Sequence, residues 1–109
     1  MSDVPQTPPI ELADDAVVLD VREQDEWDLG HAPNAVHIPL GDLAARLGEL
    51  PQVDGPLPVM CKGGGRSARA VAWLTQQGFE ATNVDGGMTA WAAAGKQMVA
   101  TGDAAPRVK

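Results

Sequence analysis

Leu57-Pro58-Val59-Met60-Cys61-Lys62-Gly63-Gly64-Gly65-Arg66-Ser67 is the stretch on which the fold turns. Four apolar residues lead to a thiol, three glycines follow, and a helical pattern begins near the arginine. So short an apolar run, bounded by turn residues, fits a strand buried on both faces of a sheet. Glycine lets the backbone curl tightly enough to enter a helix directly.

Working outward, Ser67 to Gln77 reads as a helix with Ala70, Val71 and Leu74 on one face. Gly78 suits the left-handed position after its C-cap, with Phe79 folding back on Leu74 as in a Schellman motif. Ala81 to Val84 is a further strand, Met88 to Ala94 a short helix ending at Gly95, and the residues after about Val99 a frayed tail. Upstream, Ala16 to Val21 is another strand of the doubly buried kind. An acidic turn from Glu23 to Asp28 follows, anchored by Trp27 and stopped by Gly30. Ala35 to Ile38 is a short strand closed by Pro39, and Leu40, Leu43, Leu47 and Leu50 recur at helical spacing before Pro51. Met1 to Pro9 reads as a flexible or edge-lying lead-in.

Strands that alternate with helices require crossover connections, hence an α/β domain with a mainly parallel sheet flanked by helices on both faces. The expected organisation is one domain over residues 1–109, with an ordered core of about residues 10–98. Such sheets bind ligands at the carboxyl ends of their strands, and Cys61 falls at one.

The chain carries a net charge of −7, which argues against nucleic acid as a partner, since phosphate backbones are met by basic surfaces. No segment has the length or apolarity of a membrane span, and Met1 to Thr7 holds no apolar signal core. Cys61 is the only cysteine, so neither a disulfide framework nor a paired redox site is available within the chain. A lone reactive thiol is best kept in a reducing compartment, which points to the cytoplasm. No heptad pattern or long edge strand indicates self-association, so a monomer is expected.

The loop itself is suited to hold an anion. Gly63, Gly64 and Gly65 allow successive N–H groups to point inward as a nest, and the helix start adds its unpaired N–H groups and positive dipole end. Lys62 and Arg66 add formal charge. Together these should depress the pKa of Cys61 and make its thiolate available as a nucleophile. No lysine followed by serine or threonine closes the glycine run, which disfavours a nucleotide phosphate loop.

Three ordered segments carry a resemblance to a known family. The first is Asp20-Val21-Arg22, then Glu26-Trp27, Gly30-His31, Pro33-Asn34-Ala35 and Ile38-Pro39. The second is Cys61 to Ser67, a cysteine and an arginine with four residues between them, and the third Val84-Asp85-Gly86-Gly87 with Ala90-Trp91. Over nearly its whole length the chain resembles a single-domain rhodanese, a thiosulfate sulfurtransferase. The resemblance implies that Cys61 takes the outer sulfur of thiosulfate as a persulfide and yields it to cyanide or a thiol. Lys62, Gly63, Gly64, Gly65, Arg66 and Ser67 would bind the donor, Asp20 and Arg22 would pair and brace the site, and no cofactor or metal is implied. Partners are then a small-molecule sulfur donor and acceptor, or a protein in either role. Ala32 and Asn34 depart from the family pattern in the first segment, and Asn34 could take a left-handed backbone in place of glycine. Met88 replaces a frequent larger apolar residue.

Two other readings stay open. A persulfide carrier in a protein relay would use the same thiolate with a different partner. A phosphatase or arsenate reductase on the same fold would use it too, but in the fold's dual-specificity phosphatases the loop is one residue longer. The shorter loop here suits a single sulfur better than a phosphoryl group with its three equatorial oxygens.

Overall fold

The computed structural model describes residues 4–109 and contains five strands: β1 (Gln6–Thr7), β2 (Val18–Asp20), β3 (Ala35–His37), β4 (Leu57–Met60) and β5 (Ala81–Val84). They form one sheet in the order β1-β5-β4-β2-β3, every pair parallel. Three helices accompany them: α1 (Gln24–Leu29), α2 (Gly65–Gln76) and α3 (Gly87–Ala93). The central strands β2, β4 and β5 are buried at every position, which is why their sequences show no polar alternation.

Each face of the sheet has its own core. Leu19, Leu57 and Val59 point to one side and pack with Ala70, Val71 and Leu74 of α2 and with Leu43. Val18, Met60 and Val84 point to the other and pack with Met88 and Trp91 of α3. Cys61, one residue past β4, faces the α2 side, while Met60 belongs wholly to the α3 side.

The C-terminus of α2 closes as expected: Gly78 has φ +92°, Gly78 N–H donates to Thr75 O at 3.1 Å and Phe79 N–H to Leu74 O at 3.0 Å. The Phe79 side chain stays 40% exposed, so the motif rests on these hydrogen bonds. α1 does end at Gly30, but not through a left-handed cap, because Gly30 is extended with φ 174°. A Cβ there would collide with the backbone of Arg107 and the Met98 side chain, so glycine is required by close approach.

Four expectations need correction or narrowing. The leucine-rich stretch is not one α-helix but two 3-10 segments, Leu40–Asp42 and Ala44–Glu49, with non-helical backbone at Arg46. Gly41 and Gly48 weaken an α-helix, and 3-10 turns still bring Leu43 into the core. The lead-in falls partly on residues 1–3, which lie outside the described residues. The rest of it is edge strand β1 and a 3-10 turn at Pro9–Glu11, the edge-lying one of the two forms expected. The segment after Val99 is held against α1. Val99 bridges His31, Arg107 N–H donates to Leu29 O at 2.9 Å, and Lys109 pairs with Asp25. Asn34 adopts no left-handed conformation, since only glycines among the described residues have positive φ. Its side chain donates to Asp15 O at 2.8 Å.

Candidate active site

Cys61 lies at the carboxyl edge of the sheet, where β4 hands the chain to α2. The loop turns through Gly64, whose φ of +107° only glycine adopts readily, and the helix begins one residue later. Three polar groups then converge on the Cys61 sulfur: Gly64 N–H at 3.1 Å, Ser67 N–H at 3.4 Å and the Ser67 hydroxyl oxygen at 3.3 Å. Burial of the sulfur pushes its pKa up. The Ser67 hydroxyl and the N–H groups of Ser67, Gly64 and Arg66 outweigh that effect and hold the thiol below its ordinary value. Alkylation by iodoacetamide is therefore expected to rise with pH to a plateau whose midpoint lies below the value of about 8.5 for a free cysteine. A midpoint at or above that value would show that burial prevails.

The two cations of the loop are placed differently from one another. Lys62 is exposed. Arg66 is engaged by Glu26 of α1 through two parallel bonds, Nη1 to Oε1 at 2.7 Å and Nη2 to Oε2 at 2.9 Å. The pair pushes Glu26 down to about 2, with the Arg66 hydrogen bonds as the leading cause. Arg66 is raised in turn, first by Glu26 and further by the neighbouring Cys61 sulfur, against a smaller opposing effect of burial. Arg66 thus spans the loop and α1, and much of its charge is already answered before a substrate arrives.

Asp20 and Arg22 sit at the end of β2, each 0% exposed. Arg22 donates through Nε and Nη2 to both Asp20 oxygens at 2.8–3.1 Å, and reaches on to Gly30 O at 2.7 Å and Glu26 O at 3.3 Å. Those last two bonds hold the helix that carries Glu26. His37 Nε2 meets Arg22 O at 2.7 Å and His31 Nδ1 meets Trp27 O at 2.8 Å. Trp27 stacks on both rings, with centroids 3.5 Å from His31 and 4.8 Å from His37. Neither histidine reaches the sulfur cradle by any of these contacts; both brace α1.

The start of α3 secures the loop from the other side. Met88 N–H donates to Cys61 O at 2.8 Å and Thr89 N–H to Lys62 O at 3.0 Å. Gly87 has φ +56°, and a Cβ on it would collide with those same two carbonyls. Met88 is 0% exposed, packed in the core rather than at the site. An open groove of about 720 Å³ runs beside the loop, lined by Gly63, Gly64, Gly65, Gln6, Arg69 and Asn83 among others. Cys61 itself is only 1% exposed and does not line the groove.

Every residue expected at the site is therefore in one region, with Asp20 and Arg22 one layer behind the loop. Two neighbours were not read as site residues from sequence. Glu26 appeared only within a family segment, and its link to Arg66 crosses 40 positions. Asn83 lies in β5 between Thr82 and Val84 and contacts Ser67 and Gly64; an amide side chain in a strand short enough to be buried throughout was the available signal. No group of three or more potential metal ligands occurs among the described residues.

A family model described as a rhodanese-like domain matches residues 10–94. A sulfurtransferase of Allochromatium vinosum is 37% identical over 92 residues, covering 82% of this chain and 85% of that protein. YrkF of Bacillus subtilis, named for sulfur carriage, is 41% identical over 75 residues, covering 68% of this chain and 40% of its own length. The crystal structure of a rhodanese-related protein from Thermoplasma volcanium superposes with a TM-score of 0.77 at 32% identity, covering 87% of this chain and 97% of that one.

Proposed function

The chain belongs to the rhodanese-like domain family, whose chemistry in its relatives is sulfur transfer, and on that premise we propose that it moves sulfane sulfur from thiosulfate to a thiophilic acceptor through a Cys61 persulfide. The observation that carries this reading is the convergence of two N–H groups and a hydroxyl on the sulfur itself, at 3.1–3.4 Å, all of which can donate to its thiolate. A cradle drawn that tightly around the nucleophile suits the addition of one atom in line. A phosphoryl group would need donors displaced outward to meet three oxygens, and its alkoxide leaving group would need a proton.

The Cys61 thiolate attacks the outer sulfur of thiosulfate and forms a new S–S bond. The old S–S bond breaks, and sulfite departs with its electron pair. Sulfite is a stable anion, so departure needs no general acid. The acceptor, cyanide or a thiolate, then attacks the outer sulfur of the persulfide and leaves as thiocyanate or a new persulfide, and Cys61 returns to its thiolate. Lys62 would attract the donor, and the loop N–H groups of Lys62 through Ser67 would bear the negative charge that the persulfide carries. Arg66 would act mainly by fixing the loop on Glu26, and Asp20 with Arg22 by fixing α1. In this reading the protein works as a monomer in a reducing compartment; no helix among the described residues is long and apolar enough to cross a membrane.

The decisive measurement is the intact mass after incubation with thiosulfate. A gain of one sulfur atom, lost on treatment with cyanide, is expected; an unchanged mass would reject thiosulfate as the donor. One observation favours a second reading, that of a persulfide carrier loaded by a protein. With Arg66 already paired, the loop offers a dianion only exposed Lys62 as a free charge. Steady-state turnover with thiosulfate and cyanide separates the two, since a dedicated carrier would turn over very poorly.

A further inference from the structure

The Ser67 hydroxyl has one proton and three acceptors within reach: Asn83 Oδ1 at 2.5 Å, Gly64 O at 3.3 Å and the Cys61 sulfur at 3.3 Å. The orientation of Asn83 follows from its other partners. Its Nδ2 donates to Gly64 O at 3.1 Å and to Gln6 Oε1 at 3.0 Å, which leaves Oδ1 facing Ser67. An amide oxygen only accepts, so at 2.5 Å the proton belongs to the Ser67–Asn83 bond. Ser67 Oγ then turns a lone pair toward Cys61, an arrangement suited to a neutral thiol that donates its own S–H.

A thiolate reverses the preference. A lone pair against an anion is repulsive, while a hydroxyl donated to an anion is stronger than one donated to a neutral amide. On ionisation the hydroxyl rotates to sulfur and Asn83 Oδ1 loses its donor. Asn83 is 3% exposed, so water does not readily replace it. We propose that Asn83 is a positioning residue that competes with the Cys61 sulfur for the Ser67 proton and so favours the un-ionised thiol over the free thiolate. On the persulfide reading above, the same competition favours the loaded state. There the negative charge sits on the outer sulfur, the inner sulfur no longer needs the proton, and Ser67 can return it to Asn83.

The charged groups around the sulfur, Lys62 and Arg66 with its partner Glu26, are left in place by the variants that test this. Asn83→Val removes the competing acceptor at 2.5 Å and leaves only Gly64 O, at 3.3 Å, to compete with the sulfur. Alkylation of Cys61 is expected to move to lower pH and to run about threefold faster on the acid side of the midpoint, the scale of one neutral hydrogen bond. The acceleration must vanish in a Ser67→Ala background. Asn83→Thr, whose hydroxyl oxygen can accept from Ser67, should return the profile toward the parent. Asn83→Ala, read against the same Ser67→Ala background, serves if valine is not tolerated. A merely structural Asn83 predicts the opposite direction, because a loosened loop loses donors to the sulfur. An unchanged or upward-shifted profile, or an equal shift with and without the Ser67 hydroxyl, overturns the proposal. The titration needs no sulfur donor, so it decides the role of Asn83 even if thiosulfate leaves no sulfur on the parent protein.

Discussion

Cys61→Ser is expected to fold as the parent does and to transfer no sulfur. The replacement keeps a small acceptor in the cradle, so Gly64 and Ser67 N–H groups retain a partner and stability should change by no more than about 1 kcal/mol. Reactivity is another matter. The loop can bring a thiol near ionisation because its pKa already lies within a few units of neutrality, whereas an alcohol has no neighbouring base here to take its proton. A serine would also have to form an S–O bond in place of the S–S bond that makes the persulfide step nearly balanced. Loss of rate should be at least about a thousandfold, as for removal of nucleophiles generally. Two measurements check it together: the steady-state rate with thiosulfate and cyanide, and the intact mass after thiosulfate, which should not change. Sulfur retained by the serine variant would mean that the accepting atom lies elsewhere.

The largest effect on stability is expected from breaking the Asp20–Arg22 pair. Both side chains are 0% exposed and their ion pair is 2.8 Å long. Asp20→Ala leaves a guanidinium in the interior with only backbone carbonyls to meet it, and Arg22→Ala strands the carboxylate and releases Gly30 O and Glu26 O. Removing one member of a buried pair costs about 3–5 kcal/mol, a large part of the roughly 5–15 kcal/mol by which small domains are stable. At about 4–8 °C per kcal/mol for domains of nearly this size, the melting temperature should fall by at least about 12 °C. The double variant Asp20→Leu/Arg22→Met, which removes both charges, should be more stable than either single one. Urea unfolding of the three variants reads this directly. A cost below about 1 kcal/mol for either single variant would show that water reaches the pair.

The elements read best from sequence are those whose local chemistry and tertiary surroundings agree. β4 and β5 appear at their expected bounds because short runs bounded by turn residues mark central parallel strands; both are buried throughout, with Thr82 and Asn83 the polar members of β5. The end of α2 was legible because Gly78 needs a left-handed backbone that few other residues tolerate. The leucines from Leu40 to Leu50 misled because spacings of three and four residues suit 3-10 turns and an α-helix alike over so short a span. β1 and the C-terminal segment were missed for a different reason: neither has a strong pattern of its own. Gln6 and Thr7 become a strand only because β5 offers an edge, and Arg107 and Lys109 are ordered by α1.

The sequence by itself determined the order of β2 to β5 with α2 and α3, the position of Cys61 at a strand end, and the glycine-rich turn that aims N–H groups at it. These follow from short-range rules, since apolar runs, positive φ and helix starts are settled within a few residues. Only the tertiary structure decided what each charge and polar group meets. It gave Arg66 to Glu26 across 40 positions, tied Ser67 to Asn83 across 16, and fastened the Cys61 carbonyl to Met88. Partnerships of that kind depend on distances that exist only after the sheet has assembled, because a buried polar group is satisfied by whatever folding brings within about 3 Å of it.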